Sequence, residues 1–452
     1  MEKTLDSEKV SPNLSIKINK VKITNVAILA FSVLLIANAL GAYSIINIPF
    51  EWLSQLGFIA IIIFLLIDRN IYVVPGSKIL FSLFFWAIIV TSVNIFFKDY
   101  NSLMPSLSTT SYPLFVCLRF IKLLSFIAAI YLTYWLLVKG ERHSVIKWTV
   151  IIGTVVSIIA IYYYFVRIYG LPAFLPNRLS TGGKVPTEFG TYTYAFHRAA
   201  GTFREPSHLA EWLIVPFFLS FIYCEKRFNA YVIIIGATIL LTGSMTGIIG
   251  GIIGFVAAVI ITNVFKLNNL KILIRVIVLT LIVLIIFNVL VISYTAEKIN
   301  IFKIINDRLS PILFKGGMVQ SNREYVYKYI SNNPPSLLFG FGLGNSNILF
   351  SQYLNNDLIC SFLSLYFNYL YSTGVLGLIL LCIFLFNPVI KVMLSKKSRQ
   401  DSQIIFIIAP YISYLAMFAV HSEEFSIMFA IIYALMIYEI RKYKKINRSF
   451  SA

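Results

Sequence analysis

Apolar runs recur along this chain, most of them roughly 18–25 residues long, divided by short polar stretches. A run of that length crosses a ~30 Å hydrocarbon core as helix. Twelve are read: 24–47, 52–68, 78–97, 113–138, 148–169, 208–224, 229–243, 246–264, 271–293, 358–388, 404–420 and 425–440. The pattern predicts an all-α polytopic integral membrane protein with about 12 transmembrane helices. A bundle over 24–440 is flanked by polar tails at 1–23 and 441–452. Two connections, 170–207 and 294–357, exceed the ~12–15 residues of an ordinary loop and are expected to carry function. The second contains an amphipathic helix, SNREYVYKYISNN (321–333), then a Pro-Pro break and the glycine run FGFGLGN (339–345). Both are expected to fold over the outer mouth of the bundle.

Composition sharpens this picture. With 58% hydrophobic residues, 13% charged residues and a mean hydropathy of +0.82, a soluble domain is excluded. The net charge of +19 then reports topology. With the amino terminus in the cytoplasm and strict alternation, the cytoplasmic segments hold 24 Lys and Arg against 8 Asp and Glu; the opposite side holds 12 against 11. That is the positive-inside pattern, and it places both termini in the cytoplasm. A nucleic-acid partner is not expected, because the aromatic residues sit in the spans and at their ends, where an interfacial belt puts them. The polar first 23 residues and the long first apolar run do not fit a cleavable signal. Cys117, Cys224, Cys360 and Cys382 lie in or beside spans without ligand spacing and read as packing residues.

The densest reactive stretch is HRAAGTFREPSHLAEW (197–212), which runs into the sixth span. It contains His197, Arg198, Arg204, Glu205, His208 and Glu211. Pro206 suits a first helical turn, Glu205 then stands at the helix start, and His208 and Glu211 share a face at i, i+3. Ionisable groups at membrane depth usually line a cavity or substrate path, although a capping carboxylate with interfacial anchors explains any one of them. Arg119 and Lys122 form a second anomaly about two turns into the fourth span, also at i, i+3. Two readings stay open: snorkelling to headgroups, or an inward role on a phosphorylated ligand, for which a guanidinium is well shaped. In the long second loop Arg308, Lys315, Arg323 and Lys328 stand beside Asp307 and Glu324, with Arg323 favoured because it opens the amphipathic stretch. His421, Glu423 and Glu424 occupy the tight turn before the last span, which either borders the same cavity or is simply exposed.

These residues carry a resemblance. The string RAAGTFREPSHLA (198–210) is similar to the R-x-x-G-x-F-x-E-P-S signature of bacterial O-antigen and exopolysaccharide repeat-unit polymerases. LLTGSMTGIIGGIIGF (240–255) looks like the family's L-T-x-S-[RK]-[GT] stretch, departing from it at Met245. PPSLLFGFGLGN (334–345) and the span opening GVLG (374–377) follow in order, so the likeness covers most of 198–390. It implies a GT-C-like membrane glycosyltransferase on the outer face of the bacterial inner membrane. Donor and acceptor would both be undecaprenyl-pyrophosphate-linked glycans, with the lipid pyrophosphate released. It also admits a chain-length regulator protein as a partner beside the membrane lipids. The related O-antigen ligases, which transfer polymer to lipid A core, typically carry a His-Asn pair where this chain has SFLSLYFNYLYSTG (361–374), without histidine. A lipid-linked oligosaccharide flippase is the alternative from another class, although such halves are commonly repeated and no repeat is visible here. Under this resemblance Glu205, His208, Arg198 and Arg204 are the expected catalytic set. Arg323, Arg308, Arg119, Lys122 and His197 are expected to bind pyrophosphate and glycan. Displacing a pyrophosphate requires cations for the departing charge and a base for the acceptor hydroxyl. No outer segment clusters carboxylates for a divalent ion, so neither metal nor cofactor is expected.

Overall fold

A computed structural model describes residues 12–45, 48–67, 72–108, 110–169, 171–172, 174, 198–224, 230–262, 323–334, 338–395, 401 and 403–449. The predicted span 271–293, the bulk of both long connections, His197 and Arg308 lie outside the described residues. Arg323 is placed in a helix, and its side chain is not described.

The described residues are mostly helical. In chain order the helices are α1 Pro12–Ala39, α2 Phe50–Ile67, α3 Ser77–Phe97, α4 Tyr112–Val138, α5 Arg142–Tyr169, α6 Pro206–Tyr223, α7 Ala230–Leu241, α8 Met245–Thr262, α9 Arg323–Asn332, α10 Asn345–Tyr353, α11 Leu365–Leu394, α12 Ile405–Met417 and α13 Ile427–Ser449. Ser44–Ile45 and Ile48–Pro49 pair as a short antiparallel hairpin, β1 and β2. Among the described residues, six helices are long and apolar enough to cross a membrane, and three shorter apolar ones accompany them. Eleven of the twelve predicted spans coincide with a described helix. The boundaries move where chain chemistry intervenes. The first span ends at Ala39, before the hairpin, and the tenth begins only at Leu365, where Ser364 caps the helix by accepting the Phe367 N–H at 3.4 Å.

Burial sorts the helices. Met428 to Leu435 of α13 is almost completely enclosed, as is α4 from Phe126 to Leu137, and these two helices pack on each other at the centre. By contrast α2, α3 and α8 bury under a third of their apolar windows. They present Ile63, Phe64, Phe85, Ile89, Ile252 and Ile260 outward, as lipid-facing helices do. Close packing between α8 and α12 depends on small residues, the usual device where no hydrophobic force drives helices together. A Cβ at Gly254 would collide with the Ala409 carbonyl and the Ser413 side chain, and one at Gly250 would lie 2.8 Å from Met417 Cγ.

The glycine run and the broken helix α11 form one unit. Gly374 has φ +72° and interrupts the helical ladder, freeing carbonyls that hydrocarbon cannot satisfy. The run satisfies them: Phe341 N–H donates to the Tyr371 carbonyl and Gly342 N–H to that of Ser372, both at 2.8 Å. Trp86 Nε1 donates to the Thr373 carbonyl at 2.8 Å. On the opposite edge Asn94 Nδ2 donates to the Gly340 carbonyl at 2.8 Å and Leu343 N–H to Thr91 Oγ1 at 2.9 Å. Any side chain at 340 would strike the Ser372–Thr373 backbone, so glycine is required there.

Candidate functional site

The GTFREPS string is built into the end of another helix. Gly201, at φ +51°, lets the chain pass against Ala160. Thr202 Oγ1 then donates to the Ala39 carbonyl at 2.6 Å, and Arg204 Nε to the Gly41 carbonyl at 3.3 Å. Ala39 is the last residue of α1, where helical carbonyls have no partner of their own, and Gly41 lies in the turn that follows. Glu205 is the N-cap residue of α6, with Pro206 in the first turn, as predicted. Its carboxylate does not cap the helix; it is exposed and accepts from Ser207 Oγ at 3.1 Å.

From this anchor α6 leads His208 and Glu211 into a cavity of about 270 Å³. The wall opposite comes from Glu51 and Gln55 at the start of α2, Lys122 of α4, Ser422, Glu424, Phe425 and Ser426 of the α12–α13 turn, and Ile427 at the start of α13. Asn38, Phe203 and Trp212 complete an aromatic and amide floor, in which Trp212 Nε1 donates to Asn38 Oδ1 at 2.9 Å. His208 opens onto this space within electrostatic reach of Glu205, Glu51, Arg204 and Lys122. Glu211 is buried, its Oε2 lies 3.6 Å from His421 Nε2, and the His208 and His421 rings stand 5.3 Å apart.

Arg119 and Lys122 turn inward to carboxylates. Arg119 pairs with Glu424 and, at 3.0 Å, with Glu423, while Phe115 covers its guanidinium at 5.0 Å. Lys122 pairs with Glu424 and reaches Glu51 at 3.7 Å. Lys122 sits ten residues after Tyr112, about 15 Å along the helix at 1.5 Å per residue. At that depth a pair of cations needs counter-charge, and the α12–α13 turn supplies it. Burial alone would raise the Glu424 carboxyl, yet Arg119 and Lys122 outweigh it and hold it at about 2. Glu423 is in turn tied to α10 and to the segment that precedes α11: it accepts from Asn347 Nδ2 at 3.1 Å and from the Phe362 N–H at 2.9 Å. The glycine run makes this junction possible, since Gly344, at φ +85°, lies so close to Phe115 that a Cβ would come within 2.9 Å.

The structure thus gathers Lys122, Arg204 and His208 around one cavity and sets Arg119 just behind its wall. Glu205 is exposed and is not among the lining residues. Arg198 is elsewhere: its Nε donates to the Thr242 carbonyl at 2.7 Å, joining the string to the α7–α8 turn. The turn at 421–424 borders the cavity. Sequence reasoning missed Glu51, Gln55, Asn38 and Trp212. Glu51 alone left a trace, a carboxylate opening an apolar span. Arg204 stands out electrostatically: among the described residues it has no carboxylate within ion-pair distance, whereas Arg119 has two and Lys122 has Glu424 and Glu51. Also among the described residues, no three His, Cys, Asp or Glu side chains converge as metal ligands. Comparison with protein-family models, with curated proteins and with solved structures found no match.

Proposed function

We propose that the chain is a membrane-integral glycosyltransferase that polymerises undecaprenyl-pyrophosphate-linked repeat units at the outer face of the bacterial inner membrane. The observation that carries this reading is Arg204, a half-buried guanidinium without a carboxylate partner among the described residues, on the wall of a cavity that also holds His208. A planar fork with free donors suits a pyrophosphate. An imidazole beside it suits an acceptor hydroxyl. The positive-inside pattern supports an outward orientation for this end of the bundle, where a lipid-linked donor would present its headgroup.

His208 takes the proton of the acceptor hydroxyl. The freed oxygen bonds to the anomeric carbon of the donor glycan. The bond from that carbon to the pyrophosphate oxygen breaks, and the electron pair leaves with the lipid pyrophosphate. Arg204 and Lys122 meet the departing charge, and the Trp212–Asn38 floor offers a ring face and an amide to a sugar. Glu205 does not line the cavity; it contributes negative charge beside His208. A chain-length regulator protein fits this reading as a partner.

Purified protein given lipid-linked repeat units in detergent is expected to yield a ladder of longer chains, lost in Arg204→Ala and His208→Gln protein. A single transfer to lipid A core would indicate a ligase. Translocation across a vesicle without a covalent product would indicate a flippase. Either outcome overturns the polymerase reading.

A further inference from the structure

Lys122 presents a puzzle of selectivity. It lines a cavity inside a bilayer, where anionic lipids with singly charged phosphodiester headgroups are abundant. An unguarded ammonium there would be occupied by whichever lipid lay nearest. It is not unguarded: Glu424, which lines the same cavity, holds it directly, and Glu51 stands at 3.7 Å on the other side. The three side chains retain 28%, 25% and 33% exposure for Lys122, Glu424 and Glu51, so all can be reached from the cavity. Arg119, 14% exposed, keeps its own second partner in Glu423 at 3.0 Å. The Glu424 carboxylate can therefore leave Lys122 without abandoning Arg119 to a bare buried charge, the most costly kind of loss.

We propose that Glu424 is a specificity-determining residue of the cavity: it acts as a resident counter-ion on Lys122 that a diphosphate headgroup displaces and a singly charged phosphodiester does not. This rests on the proposed binding of a lipid pyrophosphate. The physical argument is one of matched competition. A carboxylate and a phosphodiester both carry a single charge, so exchanging one for the other at Lys122 gains little Coulomb energy and forfeits a tethered partner already in place. A diphosphate brings at least two charges and reaches Arg204 as well, so the exchange becomes favourable. Selectivity of this kind comes from an element that opposes the wrong ligand. The carboxyl is ionised throughout the neutral range, held low by its two cations, so the guard does not lapse there. Ser422 Oγ donates to the Glu424 carbonyl at 2.8 Å and keeps the backbone of the guard fixed while its side chain moves.

The test measures binding, not turnover. Inorganic pyrophosphate and short-chain phosphatidylglycerol are titrated separately into detergent-solubilised protein by calorimetry at constant ionic strength. The wild type is expected to bind pyrophosphate and to bind phosphatidylglycerol at least tenfold more weakly. In Glu424→Gln, phosphatidylglycerol affinity should rise about tenfold, an ordinary size for a charge-pair coupling, so that a headgroup the wild type keeps out now binds; pyrophosphate affinity rises with it, since both ligands are relieved of the same competitor. Glu424→Asp, which keeps the charge, should keep phosphatidylglycerol out. Glu51→Gln leaves the principal pair intact and should raise phosphatidylglycerol affinity by about two- to threefold; this variant decides should Glu424→Gln fail to fold. An unchanged phosphatidylglycerol affinity in Glu424→Gln, or in Glu51→Gln where that variant decides, overturns the proposal, as does equal binding of both probes by the wild type. Pyrophosphate binding that survives in Lys122→Met at full strength also overturns it. Guarded binding without any glycan ladder would leave this inference standing and remove the polymerase reading; a ladder with unguarded binding would do the reverse.

Discussion

Two guanidinium groups reach the same end of the bundle and meet different surroundings. Arg119 is enclosed by Glu423, Glu424 and the Phe115 ring. Arg204 keeps its fork toward the cavity after a single bond from Nε to Gly41. The first is a structural cation, the second a candidate for ligand contact. Arg204→Lys, which retains charge and loses the fork, should lower turnover about tenfold with the protein folded normally, checked by product yield against size-exclusion behaviour. The histidine and glutamate of the EPSH string separate in the same way. His208→Gln removes the proposed base and should cost ~10²–10⁴-fold in rate. Glu205→Gln, outside the cavity lining, should cost under tenfold. Steady-state rates of the two variants decide, and the reverse ranking would assign the base to Glu205. Glu424 makes a further residue-scale prediction. Its carboxyl titrates near 2 when folded against roughly 4.3 in an unfolded chain. A depressed folded value stabilises above the unfolded one and ceases to do so as pH falls through the folded value. The difference in melting temperature between wild type and Glu424→Gln should thus hold from pH 7 to 5 and shrink as pH falls from about 4.3 toward 2.

At the scale of elements, glycines decide which helices can meet. Gly374 and Gly140 both lie in the left-handed region, at φ +72° and +94°. Around Gly140 there is open space, whereas a Cβ at Gly374 would press into the Leu338 carbonyl. Alanine at either site pays about 1–2 kcal/mol for the backbone. Only at 374 must the glycine run also move and release the carbonyls of Tyr371 and Ser372. Gly374→Ala should therefore lower the melting temperature clearly more than Gly140→Ala in matched thermal unfolding; equal shifts would deny the run its bracing role. This unit also marks the limit of what the sequence reveals. The spans are legible because an apolar run of sufficient length has few other uses. The amphipathic stretch is legible too, and α9 falls within it. The break at Gly374 is not, since GVLG reads as part of an unbroken apolar run. The hairpin at 44–49 is equally hidden: two strands of two residues each are too short to show an alternating pattern. Within the site, the EPSH string announces its own chemistry by density of reactive groups. Glu51, Gln55 and Asn38 do not, because each is a lone polar residue whose meaning arises only when α1, α2 and α4 converge.

For the whole molecule, the cavity's position and the charge pattern make a joint statement. The cavity lies where α1 ends, α2 and α6 begin, and α12 turns into α13. The opposite end carries Arg142, whose Nε meets Glu439 at 2.6 Å, and the exposed Lys442. Excess Lys and Arg belong on the cytoplasmic side, so the cavity should face outward. Ser106, exposed in the α3–α4 connection and bonded to Asp357 at 2.6 Å, marks the cavity end. Lys442 marks the other. In a background with the four native cysteines replaced, Ser106→Cys should react with a membrane-impermeant maleimide in intact spheroplasts. Lys442→Cys should react only after permeabilisation. The reverse pattern would put Arg204 and His208 on the cytoplasmic face, where nucleotide-activated sugars are made, and a donor carried on an outward-facing lipid pyrophosphate would be ruled out. Labelling of both sites in intact cells would break the alternation on which the orientation rests. The glycosyl-transfer reading requires the first outcome, since its donor and its growing product share the leaflet that Arg204 faces.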